Sequence, residues 1–306
     1  LLVAGQQVLK GTSITVTETF SVDGTPTDLD SGVPTVVAKF PDGSALTPAP
    51  VASGSWTGRT TGQYRIVLDG QAEVTYLDPI TWTGAIGGKT EVLYSRVEWI
   101  GGLLFALSDL RGLRVGDEYP FATTATPAFT NQQLMDARAA TLDEFEHFLG
   151  YSPVPRHARA VLDGDGSATL LVPHLKAHRL LAVSVNGTAQ SLASYTLRPS
   201  GVLEATSSYT PSGSFTAGRQ NVAVEYVHGE QRVMGDGGLA AMLRVTQRLL
   251  PGFSSAARSV TTPDGVTYDL GDMAGQVTRG GTTRRFGIPA IDSWLQEWQQ
   301  SGLAVA

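Results

Sequence analysis

The sequence has no cysteine, only five histidines, and a charged fraction of just 16% over 306 residues. The missing cysteines exclude a disulfide scaffold, thiolate metal centres and a thiol nucleophile together, so stability has to come from packing. Long apolar runs are missing as well. Leu1–Gly11 carries a short apolar patch without a basic region or a cleavage-like end, and the stretch Trp99–Leu107 is interrupted by two glycines. A bilayer span needs about 20 apolar residues, so neither a signal peptide nor a membrane segment is expected, and the chain reads as a soluble protein made in the cytoplasm. Net charge is −6. A field of that sign repels nucleic acid, and non-specific DNA binding is not expected.

What is present is a 42% hydrophobic fraction, enough for real cores, together with 35 Gly and 16 Pro. The length predicts about two domains, because single cores stop growing near 250 to 300 residues. Across residues 1–102, period-two runs such as Val36, Ala38, Phe40 and Tyr64, Ile66, Leu68 are separated by Asp23-Gly24, Asp42-Gly43, Asp69-Gly70 and Gly87-Gly88. Alternation puts apolar side chains on one face of a strand, and Asp-Gly supplies the positive φ of tight turns. About seven short strands in that length predict an immunoglobulin-like β-sandwich, with Trp56, Trp82 or Trp99 filling the place of the absent disulfide.

Residues 103–129, with Pro120, Pro127 and a Thr/Ala-rich stretch, read as a linker. An amphipathic helix follows: Thr130 and Gln133 form a capping box, Leu134, Ala137, Thr141, Phe145 and Phe148 recur on one face, and Gly150 ends it before Pro153 and Pro155. Strands return from Arg156 to Val227, with turns at Asp163–Gly166 and Asn186-Gly187. A second helix starts from an Asp236 cap and stops at Pro251-Gly252. Residues 130–252 thus read as one core of two helices with intervening strands. Residues 253–306 read as an extended docking arm, mobile over Ser254–Gly287, in which Val266, Tyr268 and Leu270 alternate and add as a strand to a neighbour. Pro289 then opens a terminal helix with Ile291, Trp294, Leu295 and Trp298 on one stripe. The expected class is α+β.

Chemistry is hard to find. There is no Gly-x-Ser-x-Gly elbow, no His-Glu-x-x-His, no phosphate-binding loop and no dinucleotide fingerprint, and no carboxylate pair is singled out by its context, so no enzyme and no cofactor is expected. Asp163-Gly164-Asp165-Gly166 starts like a calcium loop but lacks the closing Glu, which favours a tight hairpin turn. His157, His174 and His178 stand among Arg156, Arg159, Lys176 and Arg179. A metal or phosphate site is one reading of that cluster. A solvated or subunit-facing surface is the preferred one, because Pro173 and the flanking strand signals oppose a helix that would align His174 with His178. Arg279, Arg284 and Arg285 sit beside Gly280-Gly281, either solvated or facing an acidic partner.

The order of these pieces resembles a known family. Phe148-Leu149-Gly150-Tyr151-Ser152-Pro153, Pro155-Arg156, Leu162–Gly166, Leu170–His174, Val183–Gly187, Val222–Gly229 and Phe286–Leu295 form a series similar to the head-to-tail adaptors, or head-tail connectors, of long-tailed bacteriophages, particularly those of actinobacteria. The series covers a little over half the chain, and the N-terminal sandwich is an addition that compact adaptors lack. The resemblance implies a structural virion protein at the head-to-tail interface. It implies a ring of about twelve copies under the portal, a stopper or tail-completion protein below, and genomic DNA passing through the lumen without specific binding. On that reading the expected portal or ring interface comprises Glu144, Glu146, Arg279, Arg284, Arg285, Phe286, Ile288, Trp294 and Trp298. The competing expectation is a tail-associated adhesin whose immunoglobulin-like domain binds a glycan through exposed aromatics such as Trp56 and Tyr64.

Overall fold

The computed structural model describes residues 6–30, 32–115, 119–122, 129–206, 214–231, 236–250, 259–261, 267–269 and 289–303. The alternating N-terminal third forms β1 (Gln6–Leu9), β2 (Ile14–Thr19), β3 (Ser21–Val22), β4 (Thr25–Pro26), β5 (Thr35–Ala38), β6 (Gln63–Leu68), β7 (Thr75–Ile86) and β8 (Lys89–Ile100). One sheet runs β1-β8-β7-β5, with β1 parallel to β8. A second pairs β2 with β6, and β3 with β4 makes a small hairpin. The inward residues of both larger sheets, Val16, Val36, Ile66, Leu77, Ile80 and Val97 among them, meet in one core around Trp82 and Trp99, which are fully buried. Each indole keeps a hydrogen bond, Trp82 Nε1 to Ser95 Oγ at 2.7 Å and Trp99 Nε1 to the Thr12 carbonyl at 3.0 Å. Tyr64 is inside this core too, its hydroxyl accepting from Leu29 N at 2.8 Å, and Trp56 is half-buried under the Arg65 guanidinium.

The stretch expected to be a linker is part of a second core. After α1 (Leu107–Gly112) and β9 (Arg114–Val115) comes α2 (Asn131–Leu149), and Leu104, Phe105, Leu110, Leu113 and Phe121 are buried against it. The helix begins and ends as its sequence dictates. Thr130 Oγ1 accepts from Gln133 N at 3.2 Å while the Gln133 side chain reaches back to Thr130 N, and Gly150 takes the left-handed conformation at φ 78°. α3 (Gly237–Leu249) and α4 (Pro289–Leu303) close the helical core, with Phe145 against Trp294 at 5.3 Å between ring centroids. Asp236 stands at the N-cap of α3 without a side-chain capping bond.

Between α2 and α3 the chain builds a third core. Its strands are β10 (Arg156–Gly164), β11 (Thr169–Leu171), β12 (Arg179–Val185), β13 (Thr188–Ala189), β14 (Tyr195–Leu197), β15 (Val202–Ala205) and β16 (Gly218–His228). The sheet β10-β16-β12-β13 and the sheet β11-β15-β14 enclose Ala160, Val183, Leu203, Phe215, Val224 and Tyr226. Residues 130–252 therefore hold two cores rather than one. The Asp163–Gly166 segment is not a hairpin turn: β10 pairs with β16 and β11 with β15, so the chain changes sheets there. Asp163 caps Gln220 N at 2.6 Å and Asp165 caps Ser167 N at 2.8 Å, which accounts for both carboxylates without an ion.

The C-terminal region also departs from a free arm. β17 (Ser259–Thr261) pairs with β18 (Thr267–Asp269) and with the chain's own β9, so the alternating segment around Tyr268 belongs to an intramolecular sheet. Val266, Leu270 and the rest of Ser254–Gly287 lie outside the described residues. The fold is α+β, mostly strand with a few helices, and no helix among the described residues is long and apolar enough to cross a membrane.

Candidate functional site: the joint between the β units

The three cores meet at Arg156. Pro153 and Pro155 prevent α2 from continuing, and the chain leaves them as β10, whose first residue is Arg156. Its guanidinium grips Glu98 of β8 in a fork, Nε to Oε1 at 2.8 Å and Nη2 to Oε2 at 2.7 Å, and its Nη1 reaches Asp143 at 3.1 Å and Glu146 at 2.5 Å on α2. One arginine thus ties the N-terminal unit, the helical core and the second β unit. Glu98 is 2% exposed and takes a further bond from Gln7 Nε2 at 3.2 Å. Burial opposes the charge of Arg156, but Glu98, Glu146 and Asp143 outweigh it and push the guanidinium pKa up. Burial pushes the Glu146 carboxyl up, with Arg156 pulling it back. Beside this network Arg138 of α2 is buried and donates to the carbonyls of Phe105 (3.2 Å) and Gln7 (3.4 Å). Burial alone brings it down to about 10, so it keeps its charge at neutral pH.

Next to Arg156 lies a histidine cluster. His157 Nε2 faces Glu225 at 3.3 Å and its ring meets Tyr76 of β7 edge-on at 5.3 Å. His174 Nδ1 shares a 2.7 Å hydrogen bond with the Tyr226 hydroxyl, and its ring stacks on His228 at 4.1 Å. Burial holds His228 down to about 3, with His174, Arg156, His178 and His157 adding in that order, and burial followed by Arg156 lowers His174. Burial raises the Tyr226 phenol. Tyr76, Arg156, His157, His174 and His228 line a cleft of about 270 Å³ between the β units, whose walls also carry Asp78, Arg96, Glu146 and Arg159. Of the cluster expected at a solvated or subunit-facing surface, His157 is buried and Arg156 and His174 are half-buried at this cleft, while Arg159 and Arg179 are exposed and Lys176 and His178 half-buried.

Its arginines are engaged: Arg159 stands 3.5 Å from Glu225 and Arg96 3.9 Å from Asp78. Among the described residues no group of three or more His, Asp or Glu is placed to hold a metal. The chemistry on view is ion pairing around histidines that burial keeps neutral.

The residues expected at a portal or ring interface fall elsewhere. Glu144 is not a free acidic surface: it takes a fork from Arg244 at 2.9 and 2.7 Å and a third bond from Arg248 at 3.0 Å, pinning α2 to α3. Burial works against its charge, yet the two arginines lower the carboxyl. Glu146 belongs to Arg156. Trp294 is buried in the helical core, and Trp298 packs on that core while its carbonyl accepts from the Tyr151 hydroxyl at 3.2 Å. Arg279, Arg284, Arg285, Phe286 and Ile288 lie outside the described residues. Charge reversal at Glu144 is therefore expected to lower stability by about 1 to 2 kcal/mol, between the values for exposed and buried pairs, as read from the urea midpoint. The exposed Arg198–Glu204 pair serves as a control that loses less.

Reading the sequence missed Glu98, Gln7, Arg138 and His228. The only local signal was the odd polarity of Glu98 and His228 within otherwise apolar strand ends, Val97–Ile100 and Tyr226–Val227. No family model and no curated protein matches the chain. Among solved structures, it is similar to the neck of an empty GTA particle computed with C6 symmetry, at 12% identity and a TM-score of 0.36, over 58% of this chain and 83% of that one.

Proposed function

We propose that this chain is a non-enzymatic structural protein of a phage-like virion, a head-to-tail adaptor that assembles as a ring under the portal, joins capsid to tail and lines the DNA exit channel. One observation carries the reading. The short segments that resemble the adaptor family are spread over about 150 residues of sequence, yet several of them converge. Arg156 pairs with His228 and Val183 with Val224 along β16, His174 shares a 2.7 Å hydrogen bond with the Tyr226 hydroxyl, and Gly229 sits so close to Ser152 that a Cβ there would lie 3.0 Å from the Ser152 carbonyl oxygen. Gly229, at φ 102°, is required by both its conformation and this approach.

The N-terminal unit is, on this reading, an immunoglobulin-like addition. Support comes from two sheets closing on one core around Trp82 and Trp99 without a disulfide. The Arg156 network holds that addition to the adaptor part, as suits a ring component that presents its surfaces in fixed positions. The negative net charge suits a conduit that does not grip DNA. The adhesin alternative loses one of its two aromatics, because Tyr64 is buried.

Purified chain mixed with its cognate portal and imaged by negative stain is expected to give rings seated on the portal. Monomers that ignore the portal and bind a glycan array would overturn the adaptor reading in favour of the adhesin.

A further inference from the structure

Four of the five histidines gather at one joint. His157 lies on β10, His174 and His178 in or next to the turn 173–178, and His228 at the end of β16. The turn is held to β16 by two backbone bonds, His178 N to the Val227 carbonyl at 3.0 Å and Gly229 N to the Lys176 carbonyl at 3.2 Å. Over them the His174 and His228 rings stack at 4.1 Å and 23°. Arg156 is the cross-strand partner of His228, which sets a permanent positive charge beside the pair.

Neutral, the stacked rings are a favourable contact. Protonated, they place two positive charges about 4 Å apart next to a guanidinium in a partly desolvated site. Among the described residues the nearby carboxylates are already engaged elsewhere. From α2, Asp143 and Glu146 face Arg156, as does Glu98 from β8; Glu225 of β16 faces His157 of β10 and Arg159; Glu230 pairs with Lys176 of the turn at 3.0 Å; Asp78 of β7 faces Arg96 of β8. Burial raises the Tyr76 and Tyr226 phenols, so both are neutral in the acid range. Among the described residues the buried Nδ1 atom of His228 has no hydrogen-bond partner, so no carboxylate waits for its proton.

We propose that the joint is an acid-released latch, in which protonation of the stacked His174–His228 pair drives the turn 173–178 off the end of β16 and opens the cleft between the two β units while the three hydrophobic cores stay folded. The sign follows from linkage. A histidine whose pKa is depressed in the closed form stabilises that form fully above the ordinary value near 6.5 and loses this contribution as pH falls from there towards the closed-form value, about 3 for His228.

Hydrogen exchange on the full chain at pH 7.5 and pH 5.0, corrected for intrinsic rates, tests this. The His178 and Gly229 amides are expected to lose protection about tenfold or more at the lower pH, while α2 and β7 amides do not. Both variants keep a ring without a titrating nitrogen: His228→Phe should abolish the response and His174→Phe should diminish it. Unchanged protection at His178 and Gly229, or an undiminished response in the folded variants, would overturn the latch. Should either variant fail to fold, the imidazole titrations of the unaltered protein decide. Coupled titration of His174 and His228 below 6.5 supports the latch, and independent titration at the ordinary value refutes it.

Discussion

Replacing Arg156 with alanine is expected to cost about 3 to 5 kcal/mol, among the largest effects of any single polar substitution in the chain. The reason is the company it leaves behind. Glu98 is nearly inaccessible and would retain only the Gln7 amide, while Glu146 and Asp143 would face each other across an empty site. A buried carboxylate without a cation is penalised far more than an intact pair is rewarded, so the double variant Arg156→Met/Glu98→Leu should recover much of the loss. Denaturant midpoints of the two single variants and the double variant, assembled as a cycle, check this. A loss under about 1 kcal/mol for Arg156→Ala would mean that the joint behaves like a solvated surface pair.

Phe145→Ala should cost a similar ~3 to 5 kcal/mol through a different mechanism. Phe145 is fully buried on α2 and meets Trp294 of α4, so its removal leaves a cavity at the point where the helical core is closed by the C-terminal helix. Because Trp294 also packs within 2.7 Å of where a Cβ on Gly237 would lie, α3 and α4 have little room to collapse into the void. The expected result is a lowered melting temperature together with quenching or a red shift of Trp294 fluorescence. Phe148→Ala, at a half-buried position, should lose less. Equal losses at the two positions would contradict the placement of Phe145 at the centre of the core.

These two effects mark what the sequence does and does not disclose. The helix around Phe145 was legible because its signals are local: a Thr130–Gln133 box, a three- and four-residue apolar step, and a glycine in the only conformation that favours it. Pro289 marked α4 for the same reason, and alternation marked β6. Pairing across the chain leaves no such mark. Arg156 and Glu98 are 58 residues apart, and Glu144 and Arg244 are 100 apart, so the acidic residues on α2 read as a solvated face when they are staples. Asp163–Gly166 has a hairpin's composition, but composition does not say which strand comes next in the sheet, and here the chain crosses to another one. The residues 103–129 contain proline and short apolar runs whose burial depends on helices arriving up to about 190 residues later, and the strand content near Tyr268 was visible while its pairing with β17, and that of β17 with β9, was not.

The proposed ring adaptor is tested by imaging the intact virion with this chain tagged at the N-terminal β unit. Label is expected in a ring at the junction of head and tail, directly beneath the portal. Label at the tail tip, on the fibres or over the capsid surface would contradict it.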